Sequence, residues 1–195
     1  NVEIKSLGAK LNAALAKVAS EQKIRAQLEE KERKRLETET KNLREYRSVF
    51  FGRLKKILGD IEGIDVVGDR FVFSSEVLFD RGSADIGLAG KIQLDTISSV
   101  LKDISKKIPD DINWVLRVDG HTDKTPLSQN SIFKDNWELS QARSLSVVKY
   151  MINVHEINPK RLSAAGFGEH QPISFSNSKD ALAKNRRIEF KLTER

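Results

Sequence analysis

The hydrophobic positions of the first sixty residues recur at helical spacing. Leu36, Leu43, Phe50 and Ile57 lie seven residues apart. Upstream, seven-residue spacing also relates Leu7, Ala14 and Leu28, and separately Leu11 and Val18, but charged residues at positions 21 and 25 interrupt these two series. Apolar residues at this interval are typical of a coiled coil, whereas Glu and Lys at helical spacing would also support a single solvated helix. The pattern therefore predicts a helical stalk over residues 1–60, and it favours a coiled coil in which Leu43, Phe50 and Ile57 hold a parallel dimer.

Short alternating segments replace the seven-residue repeat beyond the glycines at positions 59, 63 and 68. Residues 64–67 and 70–74 flank a Gly-Asp pair, which predicts a β-hairpin. Apolar residues then recur every three or four positions over residues 88–107, so we expect an amphipathic helix that ends at Pro109 and the Asp110-Asp111 pair. The change of pattern predicts a second domain over residues 61–195.

Three further strands and a long helix complete the predicted second domain. Apolar and polar residues alternate from Ile112 to Asp119, as expected for a strand with one buried face. The next helix should start at Asp135 or Asn136. Its predicted apolar face consists of Leu139, Ala142, Leu145, Val148 and Ile152. With strands over 162–167 and 187–192, the order of elements indicates a two-layer α/β or α+β sandwich.

The charge distribution argues against a nucleic-acid partner. The 195 residues carry a net charge of +6, but residues 1–60 hold 15 Lys and Arg against 9 Asp and Glu, and residues 61–195 hold 19 against 19. The excess is spread through a mixed-charge helix rather than clustered on one face. There is no cysteine and no apolar run of 18 residues. Because the chain starts at Asn1 without a methionine, we expect a fragment whose membrane segment lies upstream.

Asp123 follows a strand and Arg143 faces the sheet from the long helix, so Asp123 is either a turn residue or a ligand-binding acid, and Arg143 is either an ion-paired structural residue or a ligand clamp. Asn136, Leu139 and Ser140 share that side of the helix. His121 and Asp123 lack a third metal ligand at useful spacing, and Ser140 has no nucleophile elbow to complete a triad with them. The sequence therefore predicts no metal, no cofactor and no enzymatic activity.

Five ordered blocks of sequence carry a resemblance to a known family. They are VLFDRGSADI (77–86), DGHTD (119–123), NWELSQARSLSVVKYM (136–151), INPKRLSAAGFGEHQPI (157–173) and AKNRRIEF (183–190). Together they resemble the OmpA-like peptidoglycan-binding domain, and the NWELSQAR block is similar to the MotB branch. The resemblance implies an α+β two-layer sandwich of OmpA-like type, with a mixed β-sheet and helices on one face, preceded by the coiled coil.

The resemblance also implies which residues bind the diaminopimelate of the peptidoglycan stem peptide. The family's Asp and Arg fall on Asp123 and Arg143, and the other implied site residues are Thr122, Asn136, Phe79, Asp80, Asn185 and Arg186. The free end of diaminopimelate carries an ammonium and a carboxylate. Asp123 can accept from the ammonium, while Arg143 and the backbone N–H of Leu139 can donate to the carboxylate. The 124–135 loop departs from the family pattern, so its contacts are not carried over.

These implications predict a periplasmic anchor that is tethered to a bacterial membrane. The expected parent is a MotB-like ion-driven motor stator subunit that forms a homodimer and has a membrane partner subunit. The alternative is a purely structural tether between membrane and peptidoglycan, without motor function.

Overall fold

The computed structural model describes residues 2–58, 64–108 and 113–194, and the chain divides into two compact units. The first unit is Asn1–Asn42 and the second is Leu43–Arg195. The helix α1 (Val2–Leu58) is unbroken, which confirms the predicted helical stalk.

The first unit is a solvated helix in the structure of the single chain. Arg25 pairs with Glu29 at 2.9 Å, Arg33 with Glu30 at 2.8 Å, and similar exposed pairs follow as far as residue 37. Exposed ion pairs of this kind contribute little to stability. They do not stabilise the helix as packing against an apolar partner would. None of the described helices is both long and apolar enough to cross a membrane.

A five-stranded mixed sheet forms the centre of the second unit. Its strands are β1 (Ile64–Val67), β2 (Arg70–Ser74), β3 (Trp114–His121), β4 (Leu162–Gly166) and β5 (Arg187–Glu194). Their order in space is β1-β2-β5-β3-β4, and only β3 and β4 run parallel. The predicted hairpin is the β1–β2 pair, in which Gly68 takes a φ of 60°, a conformation that glycine adopts without strain. Residues 109–112 lie outside the described residues, and so does the predicted start of β3 at Ile112.

Within the described residues, four α-helices join these strands, besides a 3₁₀-helix at Pro159–Arg161. They are α2 (Ser75–Leu78), α3 (Leu88–Ser105), α4 (Asn136–His155) and α5 (Lys179–Asn185). Asp135 caps α4, because its Oδ1 accepts from the N–H of Glu138 at 2.8 Å. At the other end of that helix, Asp95 of α3 accepts from Tyr150 and pairs with His155, both at 2.7 Å. These contacts fasten α3 and α4 to each other.

The core lies between one face of the sheet and the helices. Phe71, Phe73 and Phe190 come from the sheet and are fully buried, as are Leu94 and Ile97 of α3. The predicted α+β sandwich of OmpA-like type is therefore confirmed.

Leu43 packs in this core and is only 5% exposed. Tyr46 is partly buried against the same cluster. A side chain buried within its own chain cannot also fill a dimer seam, so the seam position predicted for Leu43 is wrong. The side chains of Phe50 and Ile57 lie outside the described residues.

The buried face of α4 differs from the predicted one. Leu145 is exposed and Ala142 is only partly buried. The buried residues are Asn136, Leu139, Ser140, Arg143, Ser144, Val147, Val148 and Met151. The half nearest the helix start is thus mainly polar, and it is this half that reaches the candidate site.

Candidate functional site

Close contact between α4 and the sheet sets the floor of the site. Gly120 of β3 lies opposite Gly166 of β4. A Cβ on Gly120 would come within 2.3 Å of the Ser140 carbonyl oxygen, and one on Gly166 within 2.5 Å of the Gln141 nitrogen. Ser144 donates to the carbonyl of Ala165 at 2.9 Å. The two glycines therefore let α4 lie directly on the strands and bring Arg143 to their ends.

Asp123 follows the end of β3 and is buried. Its Oδ1 accepts from the N–H of Thr125 at 2.7 Å, and its Oδ2 is ion-paired with Nη1 of Arg186. Burial opposes ionisation of this carboxyl, but the hydrogen bonds from Arg186 and Thr125 outweigh it and hold the pKa below its usual value. Asp123 is therefore a fixed anion at neutral pH.

Arg186 connects two carboxylates across the site. Besides Asp123, its Nη2 contacts Oε1 of Glu76 at 2.5 Å, and its Nε donates to the same oxygen at 3.1 Å. Burial lowers the pKa of Arg186, but the bonds to Asp123 and Glu76 raise it overall. Glu76 is the site residue that sequence analysis missed. The signal available was weak, because an exposed Glu in a one-turn helix resembles any other surface acid.

Arg143 is 5% exposed and bonds only neutral groups among the described residues. Its Nε donates to the Ser83 carbonyl at 2.8 Å, its Nη1 to Oγ of Ser75 at 3.2 Å and its Nη2 to the Asp80 carbonyl at 3.4 Å. The guanidinium carbon lies 5.3 Å from the centre of the Phe79 ring. Burial, followed by the nearby charge of Arg186, lowers the pKa of Arg143 to about 10. Arg143 is thus a cation at neutral pH, with no carboxylate of the described chain within 4 Å.

The remaining predicted residues divide into those that line the site and those that support it. Thr122 is buried, and its Oγ1 has no partner among the described residues. Asn136 donates through Nδ2 to the Asp123 carbonyl at 3.3 Å and to Oε2 of Glu169 at 2.6 Å. Phe79 and the Asp80 backbone contact Arg143, as described above. Asn136 thus contacts the Asp123 side of the site, and Phe79 and Asp80 contact the Arg143 side.

Two predicted roles do not match the contacts. The N–H of Leu139 donates to the Asp135 carbonyl at 3.1 Å within the helix, so it is not the free donor that the sequence predicts. The side chain of Asn185 accepts from the N–H groups of Ile173 and Ser174 at 2.9 and 3.0 Å. Asn185 therefore holds the loop before α5, and it positions Arg186 from the neighbouring residue.

The face of the sheet opposite α4 carries a second group of charges, whose ion pairs the sequence does not predict. Arg187 donates to Oε1 of Glu189 at 2.7 Å, and Arg117 binds Asp119 through two bonds of 2.7 Å. His121 is buried beside them with neither ring nitrogen bonded to any described residue, and burial lowers its pKa to about 4. Within the described ranges, no three His, Cys, Asp or Glu side chains are grouped to hold a metal ion.

Comparison with known proteins identifies the domain. The OmpA family matches residues 78–186, which is more than half of the chain. The chain belongs to the OmpA family. The match includes Phe79, Asp123, Arg143 and Arg186, whereas Ser75 and Glu76, which contact Arg143 and Arg186, lie just before the matched region.

The relatives place this OmpA-family domain near MotB proteins. Motility protein B of Bacillus subtilis (strain 168) is 36% identical over 72 residues, 37% of this chain and 27% of that protein. A MotB-like protein from Desulfovibrio vulgaris has a similar structure, with a TM-score of 0.64, 29% identity, and coverage of 81% of this chain and 96% of that chain. The periplasmic domain of Helicobacter pylori MotB (residues 90–256) gives a TM-score of 0.58 with 26% identity, over 69% of this chain and 83% of that one. The chain spans less than half the length of the first curated relatives that it matches.

Proposed function

We propose that residues 61–195, the predicted second domain, bind the stem peptide of peptidoglycan non-covalently at its diaminopimelate residue. In this proposal the domain anchors a membrane complex to the cell wall and breaks no bond. The observation that carries the proposal is the buried guanidinium of Arg143, which has no carboxylate partner in the described chain and lies beside the Asp123–Arg186 ion pair.

An unpaired buried cation favours an incoming anion. A guanidinium has five N–H donors, and the three bonds of Arg143 leave one N–H on each terminal nitrogen. A ligand carboxylate that accepts from them would gain charge-assisted hydrogen bonds in a site already shielded from water.

The charges around Arg143 favour a ligand end that carries both signs. Glu76, Arg186, Asp123 and Arg143 sum to zero, so a net anion or a net cation would leave an uncompensated charge in a partly buried site. The end of diaminopimelate adds one ammonium and one carboxylate. Its ammonium fits Asp123, in competition with Arg186, and its carboxylate fits Arg143. Thr122, whose buried hydroxyl has no partner among the described residues, directly precedes Asp123.

The similarity to MotB proteins extends the proposal to the whole protein. The relatives include a motility protein B and the periplasmic domain of a MotB. We therefore propose a periplasmic segment of a MotB-like motor stator subunit, dimeric through its stalk and joined to a membrane partner subunit. A passive tether is the alternative. A transmembrane helix with an Asp in the upstream segment would favour the ion-driven motor, and a lipidation Cys would favour the tether.

Calorimetry with synthetic stem peptides tests the binding site without altering the protein. A lysine-type peptide keeps the ammonium and loses the carboxylate, so Arg143 would remain unpaired. We expect it to bind about 30- to 1000-fold more weakly than the diaminopimelate peptide, a difference of roughly 2–4 kcal/mol. A peptide amidated at that carboxylate should weaken to a similar degree.

Variants of Asp123 and Arg143 test the roles of the two charges one at a time. Asp123→Asn preserves shape and should weaken binding of both peptide types, whereas Arg143→Lys should reduce the preference between them because it loses the planar fork. Asp103→Asn, at an exposed position of α3, is the control. Equal affinity of the unaltered protein for the two peptides would refute the role of Arg143.

A further inference from the structure

An exposed tryptophan, Trp137, lies beside the candidate site without being part of it. Its side chain is 49% exposed, although the other tryptophan of the chain, Trp114, is buried. One face of the Trp137 ring stacks on His170, with centroids 5.0 Å apart and an interplanar angle of 29°. A large aromatic ring that is held in place and half open to solvent is typical of a binding surface.

The turn that carries His170 ties this ring pair to the site. Gly168 adopts a φ of 55°, its N–H donates to Oγ of Ser140 at 2.9 Å, and its carbonyl accepts from the N–H of Thr122 at 2.9 Å. The next residue, Glu169, accepts from Asn136, whose amide also contacts Asp123. The position of the Trp137–His170 pair relative to Asp123 is therefore fixed by hydrogen bonds on both sides.

The charges near Trp137 exclude several ligand classes. Asp135 and Glu138 lie within two residues of Trp137, and Glu169 directly precedes His170. In residues 134–138 and 169–170, Lys134 is the one Lys or Arg. Three carboxylates against one ammonium repel phosphates, so nucleic acid and an anionic membrane surface fit poorly. A neutral ligand with an apolar face and polar edges fits well.

We propose that the open face of Trp137 binds a sugar ring of the peptidoglycan glycan strand, next to the stem peptide. This inference rests on the proposed function. The C–H groups on one side of a pyranose ring can pack on an aromatic face, while its hydroxyl and amide groups reach flanking carboxylates. A stem peptide joins the sugar to diaminopimelate through two intervening residues, and three extended residues span about 10 Å. Asn136 contacts the Asp123 carbonyl at 3.3 Å and Trp137 is the next residue of the same helix turn, so a sugar on Trp137 and a diaminopimelate at Asp123 fit one stem peptide.

The test compares two ligands by calorimetry on the full chain: the free tripeptide ending in diaminopimelate and the same tripeptide carrying its disaccharide. Trp137→Ala should lower affinity for the disaccharide-tripeptide about tenfold and change affinity for the free tripeptide less than about twofold. Trp137→Phe should retain most of the affinity, because it keeps an aromatic face. Leu145→Ala, at another exposed apolar position of α4, is the matched control and should change neither affinity.

Intrinsic fluorescence supplies a second readout, because Trp114 is buried and Trp137 is exposed. The disaccharide-tripeptide should alter the emission of the unaltered protein, and Trp137→Phe should abolish that change. Equal affinities for the two ligands, unaffected by Trp137→Ala, would overturn the sugar site and leave the peptide site intact. Binding of neither ligand by the unaltered protein would overturn both.

Discussion

Arg186 determines how the site is charged before any ligand arrives. Its guanidinium is ion-paired with both Asp123 and Glu76. Asp123 is therefore not an unpaired carboxylate in the ligand-free site. A ligand ammonium must share Asp123 with Arg186, and a ligand carboxylate gains a second nearby cation. Arg186 therefore affects selectivity as well as affinity.

Also at the residue scale, the lowered pKa of His121 predicts that the stability of the folded chain depends on pH. Its pKa falls from 6.5 to about 4, first because of burial and then because of Arg187, while Glu189, with Oε1 at 3.7 Å from Nε2, opposes the shift. The other charged groups facing His121 are Arg70 and Arg117. The unfolded chain binds a proton below pH 6.5 and the folded chain does so only near pH 4. The contribution of His121 is thus complete above pH 6.5 and is lost as the pH falls to 4.

Urea denaturation between pH 7 and pH 4.5 measures this effect. The free energy of unfolding should fall by about 1–3 kcal/mol across the window. His121→Gln should flatten the dependence, and His170→Gln, at an exposed position, should retain it. A dependence equally steep in His121→Gln would assign it to other groups. The carboxyls with lowered pKa, such as Asp123 and Glu189, lose their contribution mainly below this window.

The sequence predicted Asp123 and Arg143 as binding residues, but it did not predict which groups they contact. Spacing on a helix places Arg143 against the sheet, whereas its acceptors at Ser75, Asp80 and Ser83 lie about sixty residues away and depend on tertiary packing. The 119–123 block likewise gives no indication that Asp123 pairs with Arg186. Long-range ion pairs are not encoded in local periodicity.

At the scale of the element, α4 shows why an apolar pattern can assign the wrong face. The apolar pattern predicts a buried Leu145, but Leu145 is exposed and the buried residues include Ser140 and Ser144. Small polar residues fit where Gly120 and Gly166 bring the helix close to the strands, and their hydroxyls bond to nearby carbonyls. Close packing therefore decided the orientation of this helix more than hydrophobicity did.

The stalk helix α1 presents an apolar stripe that no described residue covers. Ile4, Leu7, Leu11, Leu15 and Val18 follow one another by three or four positions and are 50–74% exposed in the single chain. Because this spacing places them on one side of the helix, a second copy of the stalk is the proposed partner. The proposed seam thus lies before residue 20, in the part of the stalk where the heptad pattern is less regular.

Light scattering on paired variants tests the stripe. Leu11→Asp combined with Val18→Asp should convert the expected dimer to a monomer, because each dimer would bury four unpaired carboxylates. Val2→Asp combined with Ile24→Asp changes two exposed apolar residues on the other side of the helix, and it should leave the dimer intact. A dimer that persists in the first variant would place the interface elsewhere.

At the scale of the whole molecule, the five strands and the three long helices were predictable, whereas the short helices α2 and α5 and the start of the second unit were not. Turn residues and changes of periodicity marked the hairpin, the two long helices of the second unit and the last strand. The three glycines at positions 59, 63 and 68 then suggested a domain that starts at residue 61. Leu43 in the core extends the compact unit back to residue 43. Leucine suits both a coiled-coil seam and a protein core, so the sequence alone does not show which of the two Leu43 occupies.

Truncation decides between the two boundaries. A fragment of residues 43–195 retains Leu43 and Tyr46, and a fragment of residues 61–195 loses both. Because removal of a buried leucine side chain typically costs about 2–5 kcal/mol, we expect the shorter fragment to be less stable by at least that amount in urea denaturation. In the full chain, Leu43→Ala should destabilise the second unit by a similar amount, whereas Leu36→Ala, at an exposed position, should change its stability by less than about 0.5 kcal/mol. Equal stability of the two fragments would restore the boundary at residue 61 and would show that Leu43 contributes nothing to the folded head.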